Sequence, residues 1–162
     1  KTLSLSKKII ANNEIKKHFK IIPYNNEGFN SYSWYKQKIG SKFLAKPKSL
    51  ENYLGNAKLI ICRYPLTAYL RCFYSAPTIL YITEDWSFNN QFKKILPTLK
   101  KNKLVFFNET SLFNHIISIQ EDPYKWWNNK NVIKAKNLFK NQVYQNNTIE
   151  DLFNTLKKQI KI

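Results

Sequence analysis

The amino-acid sequence predicts an α/β fold, namely a Rossmann-like three-layer domain with a mostly parallel sheet and C-terminal helices. Residues 59–62 and 79–82 are apolar runs without a polar face, which is typical of parallel strands that helices cover on both sides. Residues 65–74 join the two runs as a short helix that begins at a proline, so the three segments form a βαβ unit. Strand-like and helix-like segments alternate along the chain, and two or three helices follow at its end. The chain is organised around this unit, residues 57–83.

The residues before the unit predict short elements. Residues 1–17 are polar and basic, and their few apolar anchors suit either a helix or the frayed end of a domain. A proline or a glycine ends most of the elements that follow. The predicted elements are a strand at 18–23, a helix at 32–39, a small strand at 43–44 and a helix at 49–54 that Ser49 caps.

The residues after the unit predict a helix, a third strand and then only helices. Residues 89–101 carry apolar side chains at helical spacing, and Pro97 is expected to kink this helix. Residues 103–107 predict a buried strand that would be an aggregation hazard if it were exposed. The later helices are predicted at 110–119 with Thr110 or Ser111 as the cap, at 122–144 behind Asp122 and Pro123, and from 148 onward behind a capping-box-like start.

Length and composition limit the class of protein. A chain of 162 residues fits one domain with a real core, and 43% hydrophobic residues indicate that it folds. Because the chain begins with Lys1 and contains no methionine, we expect a fragment of a longer chain. No segment approaches the ~20 apolar residues that span a bilayer. Cys62 and Cys72 have no His partners at metal spacing, so we expect two small buried side chains in a reducing compartment.

The net charge of +17 comes almost entirely from lysine, since Arg63 and Arg71 are the only arginines. Lysine is spread along the whole chain beside many Asn and Ile, a mixture that AT-rich codons impose on any protein. Proteins that bind nucleic acid usually cluster their basic residues and use arginine forks. Codon composition is therefore the favoured explanation, and a basic surface for phosphates, anionic lipids or nucleic acid is the alternative.

Common catalytic motifs are absent from the sequence. It contains no GxGxxG, Walker loop, HExxH or GxSxG, and three glycines cannot build a glycine-rich phosphate loop. His18 and His115 lie far apart in the sequence, so a catalytic dyad is not expected. The carboxylate pairs at 121–122 and 150–151 stand at predicted helix starts, where they stabilise the helix dipole.

Candidate ligand-binding residues converge on the carboxyl edge of the predicted sheet. Ligands of open α/β sheets bind at this edge, and the N–H groups of a helix start favour phosphate. Thr67, near the start of the central helix, offers a hydroxyl and a backbone N–H. Arg63 and Tyr64 end the first strand and offer charge and stacking, and Lys20 on the earlier strand adds a second charge.

Two further groups of residues have competing interpretations. Glu84, Asp85 and Trp86 follow the second strand at the same edge, where they would hold a ligand or a metal, although a solvated loop is the default. Trp126 and Trp127 favour an aromatic lock between a helix and the domain, and a sugar-stacking platform is the alternative.

Residues 18–144 resemble the LIC12162 family, transferases from surface-carbohydrate and O-antigen clusters. Lys20 stands where the family usually has Arg. The matching residues are Tyr64, Thr67, the Pro-Thr-Ile strand at 77–79, Trp86 and the Asp-Pro…Trp-Trp segment at 122–127.

The resemblance implies the C-terminal, donor-binding half of a two-domain GT-B glycosyltransferase, so residues 1–162 would be a single nucleotide-sugar-binding domain without its N-terminal partner domain. It implies glycosyl transfer from a nucleotide-sugar to a saccharide acceptor, with no cofactor and no metal, in the cytoplasm or against the inner membrane. It assigns no catalytic residue to this half. The family usually has a Glu on the central helix, and many relatives use it to contact the donor ribose. Here Leu70 or Arg71 takes that position, so donor binding is altered or this copy is impaired.

Two alternatives remain open. One is a non-enzymatic basic module that binds nucleic acid through lysines and exposed aromatic rings, although nucleic acid is not the expected partner. The other is a degenerate paralogue with only a scaffolding role, which the missing Glu keeps open.

Overall fold

The computed structural model describes residues 2–23, 30–46, 50–64, 67–83 and 88–143. A three-residue 3-10 turn lies at Ser41–Phe43. The strands of these ranges are β1 (Ile60–Cys62), β2 (Thr78–Tyr81) and β3 (Val105–Phe106). The α-helices are α1 (Thr2–Ala11), α2 (Ser31–Ile39), α3 (Glu51–Leu54), α4 (Thr67–Ser75), α5 (Asn90–Lys101), α6 (Glu109–Ile119), α7 (Pro123–Trp127) and α8 (Lys130–Val143).

The three strands form a parallel sheet in the order β1-β2-β3, with α4 and α5 as the two crossovers. Ile61 lies opposite Ile79, and Leu80 lies opposite Val105. All four residues of β2 are buried, because strands lie on both sides of it and helices cover both of its faces. This confirms the predicted α/β class and the predicted βαβ unit.

Two apolar clusters cover the sheet and make three layers. Successive side chains of a strand point to opposite faces, so Leu80 and Ile79 enter different clusters. The first cluster packs α4, α5, α7 and α8 against one face of the sheet. The second packs α1 and α6 against the other face. The fold is therefore a Rossmann-like three-layer α/β domain.

The helices bury the residues that recur at helical spacing. On α4 these are Tyr69, Cys72 and Phe73, each at most 2% exposed. On α5 they are Ile95 and Leu99, and the helix runs as one element past its internal proline. None of the described helices combines the length and the apolar character that a membrane crossing requires.

Two helix boundaries differ from the prediction. Helix α6 begins at Glu109 because Asn108 is its cap and its side chain accepts from the backbone N–H of Ser111 at 2.9 Å. The helix predicted at 122–144 is two helices, α7 and α8, separated at Asn128 and Asn129. Asn129 accepts from the N–H of Asn131, and such local side-chain bonds compete with helix continuation.

The predicted strands near the N-terminus reduce to one parallel bridge between Ile21 and Leu44. Helix α2 ends as predicted at Gly40, which has φ +86° and so needs the freedom of glycine. The predicted cap Ser49 and the helix predicted from 148 onward lie outside the described residues.

Candidate functional site

Arg63 joins the ends of the two central strands at the carboxyl edge of the sheet. It follows β1 directly, and its Nη2 donates a hydrogen bond to Oγ1 of Thr83, two residues beyond β2. The centre of its guanidinium group lies 5.7 Å from the ring centres of both Tyr64 and Tyr81. These contacts hold a positive charge at the edge where ligands of parallel α/β sheets bind.

The two tyrosines beside Arg63 have different environments. Tyr81 is 2% exposed, and burial raises the pKa of its hydroxyl, with Glu109 raising it further and Arg63 opposing the shift. Tyr64 is 43% exposed, so part of its side chain is accessible at the surface. Tyr81 therefore supports Arg63 from within the core, while Tyr64 lies at the surface.

The start of α4 lies at the same edge, because its first residue, Thr67, comes only five positions after the end of β1. The positive end of the helix dipole points out of the sheet edge there, and no acidic residue stands in the first turn. Arg63 and this helix start are therefore two neighbouring features that favour an anion. Glu84, Asp85 and Trp86 lie outside the described residues.

Lys20 and Arg71 have other neighbours. Lys20 donates from Nζ to the carbonyl oxygen of Lys42 and lines a separate cleft, in which neither Arg63 nor Tyr64 takes part. Arg71 forms an exposed ion pair with Glu51 of α3. Leu70, the other residue at the position of the family's usual Glu, packs against the first apolar cluster.

The sequence analysis does not identify Thr83 and Tyr81 as partners of Arg63. Their positions at the end of β2 could have indicated them, since neighbouring parallel strands end at the same edge. No local sequence pattern indicates the cleft near Lys20, because its lining residues come from segments that meet only in the folded chain.

The tryptophan pair anchors helices, as the favoured interpretation expected. Trp127 is 7% exposed, and its ring packs on Phe73 with ring centres 5.3 Å apart. Trp126 donates from Nε1 to the carbonyl oxygen of Asn102 at 3.3 Å. Asn102 precedes β3, so α7 lies at the edge of the sheet opposite to Arg63.

His115 of α6 is packed into this anchor. Its ring is stacked on Phe106 with ring centres 5.4 Å apart and meets Trp126 edge-on at 5.0 Å. Burial, assisted by the charge of Lys103, lowers the pKa of His115 to about 4. His115 is therefore a neutral side chain within an aromatic cluster at neutral pH.

The two cysteines lie together on β1 and α4, and both are free thiols. A hydrogen bond with Cys72 and burial raise the pKa of Cys62, which keeps its thiol protonated. In the described ranges no three His, Cys, Asp or Glu side chains are grouped closely enough to hold a metal ion.

Comparison with known families gives one match. The model of the LIC12162 family transferase covers residues 4–160, nearly the whole chain. No curated protein and no solved structure shows a significant match. Since the family match spans the βαβ unit and the helices that cover it, the chain belongs to the LIC12162 family of transferases.

Proposed function

We propose that this chain binds the nucleotide-sugar donor of a GT-B-type glycosyltransferase in bacterial surface-polysaccharide or O-antigen biosynthesis. Membership in a transferase family supports a group-transfer reaction. The observation that carries the finer proposal is the position of Arg63, which bridges the ends of β1 and β2 beside the start of α4.

The donor class follows from the chemistry of this edge. The phosphates of a nucleotide-sugar are negatively charged, and a guanidinium group beside a helix start provides positive charge that attracts them. The exposed ring of Tyr64 offers a face on which a base or a sugar stacks. Glu84, Asp85 and Trp86, which follow β2 in the sequence, are proposed to complete the site.

Arg63 and the start of α4 would assist the reaction by stabilising the leaving group. In glycosyl transfer the bond from the anomeric carbon to the phosphate oxygen breaks, and an acceptor oxygen forms the new bond as its hydroxyl loses a proton. Negative charge grows on the departing nucleotide phosphate, and fixed positive charge at that point is worth several kcal/mol, roughly as much as an oxyanion hole. The base that takes the acceptor proton is not assigned to a residue of this chain.

The partners proposed with this function are a nucleotide-sugar, a saccharide acceptor and an N-terminal acceptor-binding domain. The proposed location is the cytoplasm, with peripheral contact with the inner membrane where the acceptor is made. The proposal includes no cofactor and no metal.

Calorimetry with a panel of nucleoside diphosphates and nucleotide-sugars tests the donor site. Arg63→Ala should weaken binding by about 10- to 100-fold, because a hydrogen bond to a charged group contributes about 1.5–3 kcal/mol. Tyr64→Ala should weaken binding without removing the bond between Arg63 and Thr83, which separates ligand stacking from support of the fold.

Lys125→Ala is the matched control. It removes one positive charge from an exposed position of α7, at the opposite edge of the sheet. The proposal is refuted if Arg63→Ala and Lys125→Ala bind every nucleotide as tightly as the unchanged chain does.

A further inference from the structure

A second cleft lies away from the sheet edge. It has a volume of about 610 Å³ and is formed around the bridge between Ile21 and Leu44, the start of α2 and the short helix α3. Three lysines and two tyrosines contribute to its lining, and no carboxylate of the described residues does. These five residues are Lys20, Lys42, Lys46, Tyr32 and Tyr53.

The lysines make the cleft strongly positive. Like charges gathered along a concave wall raise the local potential and attract anions. The bond from Lys20 to the carbonyl oxygen of Lys42 uses one of the three N–H donors of the Lys20 ammonium group. Lys20 is therefore fixed at the wall and still has donors to offer to a phosphate.

The tyrosines give the same cleft an apolar wall. Both rings are half-buried, and Tyr53 is held in place because its hydroxyl donates to the carbonyl oxygen of Lys46. Held aromatic faces suit the C–H face of a sugar ring.

We propose that this cleft is a second ligand site, which binds a saccharide that carries a phosphate group. The lysines bind the phosphate, and the tyrosines contact the sugar ring. A free sugar phosphate and a lipid-linked sugar phosphate present the same chemistry to the cleft. The inference does not depend on the donor site, because no residue of the sheet edge lines the cleft.

Titration of the whole chain with four probes tests the inference: glucose 1-phosphate, a short-chain lipid-linked glucose monophosphate, inorganic phosphate and glucose. Glucose 1-phosphate should bind at least about fivefold more tightly than inorganic phosphate, because the tyrosine faces add to the phosphate contacts. Glucose should not bind measurably. The lipid-linked probe decides the source of the ligand: tighter binding than glucose 1-phosphate assigns the cleft to lipid-linked sugars, and equal or weaker binding assigns it to free sugar phosphates.

The double variant Lys20→Gln/Lys42→Gln should lose about tenfold or more in affinity for glucose 1-phosphate, since charge-assisted contacts to phosphate are lost. Both lysines are exposed, so the variant is expected to fold, and each single variant provides a second measurement. Lys125→Gln controls for the loss of net charge, because it removes one exposed lysine away from the cleft.

Three results overturn the inference: no binding of either phosphorylated sugar, equal affinity for glucose 1-phosphate and inorganic phosphate, or unchanged affinity in the double variant. Failure of the donor site gives a different pattern. In that case nucleotide binding does not respond to Arg63→Ala, while sugar phosphate binding still responds to the loss of the two lysines.

Discussion

Acidification below about pH 6.5 should destabilise the fold through His115. The ring of His115 lies against Phe106 and Trp126, and its buried Nε2 has no hydrogen-bond partner among the described groups. Protonation would place an unpaired charge there, and Lys103 would repel it. The folded pKa of about 4 lies below the ordinary value of 6.5, so the unfolded chain binds the proton more readily.

The sign and the size of the effect follow from this difference. The contribution is fully present above pH 6.5, and it is lost as the pH falls from 6.5 towards 4. A difference of this size corresponds at most to about 3 kcal/mol. Because the side chain is only half-buried, solvent screens the charge, and we expect a loss of about 1–2 kcal/mol.

Urea unfolding followed by tryptophan fluorescence measures the effect, at several values between about pH 7.5 and 4.5. Other groups of the chain also respond to pH, so the useful quantity is a difference between two proteins. His115→Phe keeps an aromatic ring in the cluster and removes the titrating group. The free energy of unfolding of the unchanged chain should fall relative to that of His115→Phe as the pH is lowered. A difference that stays constant over the whole range would show that the reasoning is wrong.

Two further predictions concern the stability of the core and of a turn. Leu80→Ala, at the fully buried centre of β2, should lower the free energy of unfolding in urea by about 3–4 kcal/mol. Ile133→Ala, on an exposed part of α8, should lower it much less. Similar losses in the two variants would mean that β2 is not the centre of the core. Gly40→Ala should cost about 1 kcal/mol because φ is +86°. Gly55→Ala, at φ −66° with open space at the Cβ position, should be neutral or slightly stabilising. Equal effects of the two substitutions would contradict the positive φ at Gly40.

The parallel sheet could be predicted because its central strands are continuous apolar runs in the sequence. The run at 79–82 is apolar throughout, and a strand buried on both faces accommodates it without exposing apolar area. The cap of α6 was predicted two or three residues late, because Asn108, Thr110 and Ser111 are all good caps and the sequence does not rank them. The prediction of one long helix at 122–144 followed its apolar spacing and overlooked the adjacent asparagines that interrupt it.

The candidate site was predictable only where it depends on one strand end. Arg63 and Tyr64 follow β1 directly, so their place at the carboxyl edge follows from the parallel sheet alone. Lys20 was expected beside them because its segment was read as another strand of the same sheet. The segment instead bridges to Leu44, a pairing between distant residues that no local pattern specifies. The cleft around Lys20 depends on this pairing, so no local pattern of the sequence indicates the cleft.

The composition of the chain strengthens the case that Arg63 has a specific role. Only two of the 27 basic residues are arginines, so lysine supplies the positive charge at nearly every basic position of this chain. Arg63 meets a requirement that lysine does not meet, because its planar group lies 5.7 Å from the centres of two tyrosine rings while it bonds across the strands to Thr83. The variant Arg63→Lys keeps the positive charge and removes the planar fork, so it tests which of the two properties ligand binding requires. If the donor phosphates need only a positive charge, this variant keeps most of the affinity for nucleotides; if they need the oriented fork, it loses nearly as much as Arg63→Ala.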